Sequence, residues 1–170
     1  MPPLTSADET YLRLAIDLSR HALEDQGKTP FGAILVLDGE VVSEGTSSVI
    51  ELIDPTAHAE VMALRNAARK LDHHLLDGSI LYSSSEPCPM CLTACYWARI
   101  SRLVFGATSY DVATHGFEDL QLYSELATEA GRRSLPEVSA GGTLRTLAAD
   151  VLRNWAEDLP EPVTPKYPDR

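Results

Sequence analysis

The sequence has few basic residues, few aromatic residues and no long apolar run. Its 170 residues include 14 Lys and Arg against 25 Asp and Glu, a formal net charge of −11. This balance argues against binding to nucleic acid or to an acidic membrane surface, because both rely on clustered Lys and Arg. No stretch approaches the roughly 20 apolar residues that span a bilayer. We therefore expect a globular protein whose partner is neither a membrane nor a nucleic acid.

Cysteine is also scarce, and its three copies lie close together as Cys88, Cys91 and Cys95. The first residues lack the basic and then apolar order of a signal peptide. An odd number of clustered cysteines without such a signal favours a metal site or buried thiols over a disulfide framework. The sequence therefore predicts a protein of the reducing cytoplasm.

The pattern of apolar residues predicts one α/β domain over residues 1–158. A first helix begins at a capping box formed by Ser6 and Glu9, and two β-rich runs joined by Asp38 and Gly39 predict a hairpin. The chain then alternates between helix and strand, which implies a right-handed crossover in a layered sheet. These elements are a helix from about Thr56 to Leu71, a strand over Ile80–Ser83, a helix from Pro87–Pro89 to about Arg99 and a strand over Leu103–Phe105.

Beyond this core, the sequence predicts two more helices and a tail. Residues 120–126 and an amphipathic stretch over residues 144–155 have helical patterns. Four of the eleven prolines fall between Pro160 and Pro168. Because proline interrupts helices, we expect residues 159–170 to form a Pro-rich tail.

Two short motifs carry the chemistry. His58 lies two residues before Glu60, and Cys88 and Cys91 form a Cys-x-x-Cys pair at the start of a predicted helix. One imidazole and two thiolates are good zinc ligands, and three protein ligands leave the fourth position to water, as in catalytic zinc sites. We therefore predict one Zn²⁺ per chain, bound by His58, Cys88 and Cys91, with a zinc-bound hydroxide as nucleophile.

Glu60 is the predicted proton carrier of this site. Its side chain is long enough to reach the water and the substrate without binding the metal. A carboxylate in that place can take a proton from water, pass it to a ring nitrogen and then protonate a leaving amine. The order His-x-Glu followed by Pro-Cys-x-x-Cys is the signature of zinc deaminases. The alternative is a closed structural zinc site, with His73, His74 or Cys95 as fourth ligand.

Longer stretches resemble a known family. They are Pro30–Ala33, Asp54–Glu60, Glu86–Cys91, Tyr96–Arg99 and Gly116–Asp119. With these stretches the sequence resembles the cytidine deaminase-like zinc hydrolases, and within them the bacterial guanine deaminase group, from about Tyr11 to Leu126. The resemblance implies a three-layer α/β/α fold, with a central mixed sheet of about five strands between helices.

The resemblance also implies roles for several residues. It places Phe31 and Trp97 in the wall of the base pocket, and Asp119 where a carboxylate contacts the purine and assists proton transfer. Ala59 and Ser47 are expected to contact the substrate too. Members of this group are dimers that exchange C-terminal segments, so the resemblance implies a homodimer in which Tyr167 reaches the partner's pocket.

One position departs from the family pattern and leaves the substrate open. Family members usually carry an Asn in the segment that here is Thr46–Ser48, and Ser47 cannot present the paired donor and acceptor of an amide. The favoured activity is deamination of free guanine to xanthine and ammonia. Cytosine, a 5-aza analogue or an ammeline-like amino-triazine are alternative substrates. A tRNA adenosine deaminase and a non-catalytic zinc module that binds a partner protein are the other hypotheses.

Overall fold

The computed structural model describes residues 3–166, and its contacts divide the chain into two compact units. The first unit ends at Thr128 and the second begins at Glu129. The domain over residues 1–158 and the tail over residues 159–170 remain predictions from the sequence. Within the described residues, no helix is both long and apolar enough to cross a membrane.

The first unit contains six helices and four strands among its described residues. In chain order they are α1 (Ser6–Ala22), β1 (Gly32–Leu37), β2 (Glu40–Thr46), α2 (Val49–Leu52), α3 (Ala59–Leu71), β3 (Ile80–Ser85), α4 (Pro89–Trp97), β4 (Arg102–Ala107), α5 (Ser109–Thr114) and α6 (Asp119–Ala127). The expected hairpin forms β1 and β2. Its turn residues Asp38 and Gly39 both have positive φ, as a two-residue turn between twisted strands requires.

The strands form one mixed sheet in the order β2-β1-β3-β4. β1 is antiparallel to both β2 and β3, whereas β3 and β4 are parallel and joined through α4. The expectation of about five strands is corrected to four among residues 3–166, because the chain after β4 turns into α5 and α6 instead of returning to the sheet edge.

Helices cover both faces of this sheet. Alternate residues of β1 point to opposite sides, as the period of a strand requires. Ala33 and Leu35 pack with α3 and α4, whereas Ile34 and Val36 pack with α1. The three layers are therefore α/β/α, as the resemblance implies.

The contact between β2 and α3 is unusually close, and Gly45 makes it possible. A Cβ on Gly45 would fall well inside van der Waals contact with the backbone of Ala59 and Ala63. Only a residue without a side chain lets the first turn of α3 lie this near the sheet. That turn carries Glu60 and follows His58, so Gly45 helps to set the position of the candidate site.

A buried carboxylate ties the start of α1 to the sheet. The N-cap of α1 is Thr5 with Asp8 as its partner in the capping box, which corrects the predicted pair of Ser6 and Glu9. The Asp8 side chain also accepts hydrogen bonds from Tyr82 Oη at 2.8 Å and from both terminal nitrogens of Arg102 at 2.9 and 2.8 Å. These donors hold the pKa of Asp8 well below its ordinary value.

The second unit contains α7 (Gly142–Glu157), close to the predicted helix. Its apolar residues recur at helical spacing along one side. All of them are exposed in the single chain: Leu144, Leu147, Val151, Leu152 and Trp155.

Candidate zinc-dependent active site

The site forms where two helices begin beside the end of a strand. His58 is the N-cap of α3, and Cys88 is the N-cap of α4 just after β3 ends at Ser85. Pro89 occupies the first turn of α4, where its missing N–H costs nothing. Both helices direct their positive ends at the site, which favours negatively charged ligands there.

The three predicted ligands lie together with distances that suit zinc. Cys88 Sγ is 3.6 Å from Cys91 Sγ and 3.7 Å from His58 Nδ1, and one ligand atom from each residue lies within 4.8 Å of the others. A tetrahedral site with Zn–S near 2.3 Å and Zn–N near 2.0 Å places neighbouring ligand atoms about 3.5–3.8 Å apart. The residues present therefore fit Zn²⁺.

The two thiol groups form a hydrogen bond with each other. Their mutual hydrogen bond lowers the pKa of Cys88 and raises that of Cys91, and burial raises the pKa of Cys91 further. A dication removes this asymmetry, because it favours the thiolate form of both sulfurs. The donor set is therefore better suited to a bound cation than to a free thiol pair.

Glu60 lies beside the ligands and is almost completely buried, with 4% of its surface exposed. Its Oε1 accepts a hydrogen bond from Ser83 Oγ at 3.0 Å. Burial raises the pKa of Glu60 above that of a carboxyl in water. A carboxylate with a raised pKa both accepts and releases a proton more readily near neutral pH.

A cavity of about 150 Å³ opens over these residues. Phe31 and Phe117 form part of its wall and contact each other edge to face, with ring centroids 4.8 Å apart. Aromatic walls of this kind suit a flat ring. The complete lining is Thr29, Phe31, Ser47, Val49, Ile50, His58, Ala59, Glu60, Ser85, Cys88, Phe117 and Asp119.

Asp119 reaches the cavity from the first turn of α6. Partial burial raises its pKa, and the nearby Cys88 sulfur raises it further. A hydrogen bond of 2.7 Å from Tyr123 Oη to Pro87 O ties the same helix to the cysteine loop. The position of Asp119 is therefore linked to that of the metal ligands.

Most residues singled out from the sequence meet in this cavity. Phe31, Ser47, Ala59 and Asp119 line it together with the ligands and Glu60. The structure does not bring Trp97 there. Trp97 ends α4, about 12 Å along the helix axis from Pro89, and 79% of its surface is exposed. Tyr167 lies outside the described residues.

The three residues considered as a fourth ligand lie elsewhere. Cys95 packs in the apolar core between the sheet and α3. His73 and His74 stack on each other after the end of α3. Among residues 3–166, the metal-binding group consists of His58, Cys88 and Cys91 alone.

Sequence reasoning missed two lining residues that matter to the cavity. Phe117 belongs to the stretch Gly116–Asp119, in which the resemblance implies a role for Asp119 only. Thr29 immediately precedes the stretch that begins at Pro30, and a lone threonine before a proline gives no chemical signal. Only the fold brings Thr29 beside Ser47.

Comparison with known proteins agrees with this geometry. The family model of the cytidine and deoxycytidylate deaminase zinc-binding region matches residues 5–107. The chain belongs to this family of zinc-binding deaminases, which confirms the resemblance found in the sequence and makes the protein a hydrolytic enzyme.

Particular relatives are similar over much of the chain. Guanine deaminase from Bacillus subtilis strain 168 is 44% identical over 148 residues, which covers 87% of this chain and 95% of that protein. Its crystal structure superposes with a TM-score of 0.83 at 38% identity, over 94% of this chain and all of the other. A guanine deaminase from Nitrosomonas europaea superposes with a TM-score of 0.62 at 29% identity, over 91% of this chain and 87% of the other. A tRNA-specific adenosine deaminase from Haemophilus influenzae is 41% identical over 73% of this chain and 75% of that protein.

Proposed function

We propose that this protein deaminates free guanine, producing xanthine and ammonia from guanine and water. The observation that carries the proposal is the single cavity that joins a zinc ligand set, a buried Glu60 and an aromatic wall with Asp119. Similarity to the Bacillus subtilis guanine deaminase over 87% of the chain supports guanine as the ring.

Glu60 is the residue that moves protons in the proposed reaction. Zinc, when bound, supplies a water that is acidic enough to act as a nucleophile at neutral pH. Glu60 takes one proton from that water and passes it to a ring nitrogen; it then takes a second proton from the hydroxyl formed on C2 and passes it to the amino group, which leaves as ammonia. The bond from C2 to the amino nitrogen breaks, and a bond from C2 to oxygen forms. Ser83 holds the Glu60 carboxyl in place during these transfers.

Asp119 and the two phenylalanines orient the ring. Guanine carries several N–H donors, and a partly buried carboxylate accepts from them. A base without those donors leaves Asp119 without a hydrogen bond in a partly desolvated place, so it binds less well. Phe31 and Phe117 form one aromatic wall against which the flat ring can pack, and they exclude water.

An ammonia-release screen of the zinc-loaded protein tests the proposal. The substrates are guanine, cytosine, 5-azacytosine, ammeline and an adenosine-containing anticodon stem-loop. We expect guanine to be turned over fastest, Glu60→Gln to retain zinc but lose at least 1,000-fold in kcat, and Asp119→Asn to lose mainly in kcat/KM. Faster turnover of another ring, or of the RNA, would assign the enzyme to that substrate instead.

We also propose that the enzyme acts in the cytoplasm on free bases and not on nucleic acid. The three cysteines are free thiols, which suits a reducing compartment. A net charge of −11 repels a polyanion. Salt-sensitive binding of the stem-loop would argue against this part of the proposal.

A homodimer is the proposed assembly, as the sequence resemblance implies. The exposed apolar residues of the described chain include two groups that a partner could cover: the stripe along α7 with Val151 and Trp155, and the end of α4 with Tyr96 and Trp97. Monomers rarely expose apolar surfaces of this kind without a partner. We propose that a second copy of the chain covers both.

Sedimentation velocity tests the dimer directly. The wild type is expected to sediment as a dimer at micromolar concentration, and Val151→Glu with Trp155→Glu as a monomer. Thr146→Glu on the opposite side of α7 is the matched control and should remain dimeric. A wild-type monomer, or a dimer that survives the double substitution, would contradict the assignment.

A further inference from the structure

Two hydroxyl groups lie side by side in the wall of the cavity. Thr29 precedes β1 and Ser47 follows β2, so the β1–β2 hairpin brings together residues that are distant in sequence. Thr29 Oγ1 and Ser47 Oγ are 2.7 Å apart, and both residues line the cavity. Ser47 is 95% buried, and its backbone N–H donates to Phe31 O at 3.2 Å. The pair is therefore fixed by the backbone of the hairpin.

The hydrogen bond within this pair leaves one O–H donor, on Ser47, and lone pairs on both oxygens free. Each hydroxyl has one O–H and two lone pairs. One O–H is used between Thr29 and Ser47, so Ser47 keeps a proton to donate and Thr29 keeps lone pairs to accept with. Among the described residues, neither hydroxyl oxygen has another hydrogen-bond partner. The free donor and acceptor are neighbours in a largely apolar wall, where an unmatched polar group is costly.

We propose that Thr29 and Ser47 together recognise one edge of the substrate ring, an edge that places a hydrogen-bond acceptor next to an N–H donor. This inference rests on the proposed deamination of guanine; it adds Thr29 as a specificity-determining residue and assigns Ser47, already expected to contact the substrate, to a pair with it. Ser47 alone presents one oxygen atom, which cannot match two neighbouring ring atoms as the two ends of an amide do. The pair acts as one recognition unit. Because Thr29 uses its O–H to donate to Ser47, the Ser47 O–H is the one that can donate to the ring, and the Thr29 oxygen can accept from it.

The other residues of the site leave one edge of the substrate ring without a polar contact. The metal ligands and Glu60 come from the starts of α3 and α4, and Asp119 comes from α6. Thr29 and Ser47 come from the two ends of the hairpin and lie beside Phe31, and Ser85 at the end of β3 also lines the cavity. A ring held at the reacting atom alone could rotate in its plane, and a second polar contact prevents that rotation.

A double-mutant cycle tests the pair. Thr29→Val keeps the shape of the side chain and removes the hydroxyl, and Ser47→Ala does the same at the other position. We expect each variant to lose about tenfold in kcat/KM for guanine, mainly through KM, and the double variant to lose little more than the worse single one. Thr10→Val, an exposed position on α1, is the matched control and should behave as the wild type.

Ring analogues and binding measurements separate recognition from a structural effect. With 3-, 7- and 9-deazaguanine, one ring nitrogen at a time is replaced by carbon. For the analogue that lacks the contacted atom, the difference between wild type and Thr29→Val should disappear. Equilibrium binding of guanine in a Glu60→Gln background should weaken by the same factor as kcat/KM falls.

The outcomes also separate this inference from the proposed function. If the wild type deaminates guanine but Thr29→Val and Ser47→Ala do so equally well, the pair does not recognise the ring and the inference is wrong. Additive losses, or equal losses with every analogue, would also refute it. If the wild type does not act on guanine at all, the proposed function itself has failed.

Discussion

Replacing Asp8 by Asn should destabilise the protein strongly, although Asp8 lies outside the active site. The Asp8 side chain is buried, and it accepts two hydrogen bonds from Thr5, one from Tyr82 and two from Arg102. Asparagine keeps the shape, but it offers one oxygen acceptor and turns an NH₂ group toward these donors. The substitution therefore loses the paired charge as well as hydrogen bonds.

The size of the effect follows from those contacts. Two charge-assisted hydrogen bonds contribute about 1.5–3 kcal/mol each, but 40% of the Arg102 side chain is exposed and water screens the pair. We therefore expect Asp8→Asn to lower the free energy of unfolding by about 2–4 kcal/mol at neutral pH. Urea unfolding of the zinc-loaded protein measures it.

Asp111→Asn is a closely matched control. Asp111 forms the same capping box with Thr108 at the start of α5, but it is exposed and has no arginine partner in the described structure. Asp111→Asn should therefore cost clearly less than Asp8→Asn. Equal losses in the two variants would show that Arg102 and Tyr82 add nothing to the cap, and the reasoning would be refuted.

The pH dependence gives a second, independent check. The pKa of Asp8 is lowered in the folded state, so its contribution is complete above the unfolded pKa of about 4 and is lost as the pH falls toward the folded value. The difference in unfolding free energy between wild type and Asp8→Asn should be constant above about pH 5 and shrink below pH 4. A difference that grows on acidification would contradict the assigned pairing.

Three further predictions concern the site and its supports. Gly45→Ala should lower the unfolding free energy by about 2–4 kcal/mol in thermal unfolding, because its Cβ would collide with the backbone of α3; an unchanged Tm would show that the helix can move away freely. Cys91→Ala should lose the zinc in metal analysis, whereas Cys95→Ala should retain one zinc per chain; loss in both would make Cys95 a ligand. Tyr123→Phe should reduce kcat/KM for guanine about three- to tenfold with little change in stability, since it removes the hydrogen bond to Pro87; wild-type kinetics would show that this bond does not position the loop.

The motifs were predictable because their chemistry is local. His58, Glu60, Cys88 and Cys91 are close in pairs along the chain, and each pair opens a helix, so spacing and residue type together indicated a zinc site. The hairpin was predictable for the same reason, because Asp38 and Gly39 accept the positive φ that its turn needs. The predicted cap lies one residue late: by residue type Ser6 is at least as good a cap as Thr5, but in the fold Thr5 pairs with Asp8, which also binds Arg102.

Contacts between residues distant in the chain decided which other residues line the cavity. Trp97 is of a residue type common in ligand pockets. It lies at the far end of α4, however, exposed and away from the cavity that Cys88 lines. Thr29 has no signal of its own, yet pairing of β1 with β2 places its hydroxyl 2.7 Å from that of Ser47. Residue type and spacing thus established the metal, the proton carrier and the class of reaction, because those depend on side-chain chemistry within one or two helical turns. The shape of the cavity and the groups that can recognise a particular ring depend on how strands and helices pack, and these emerged only with the tertiary structure.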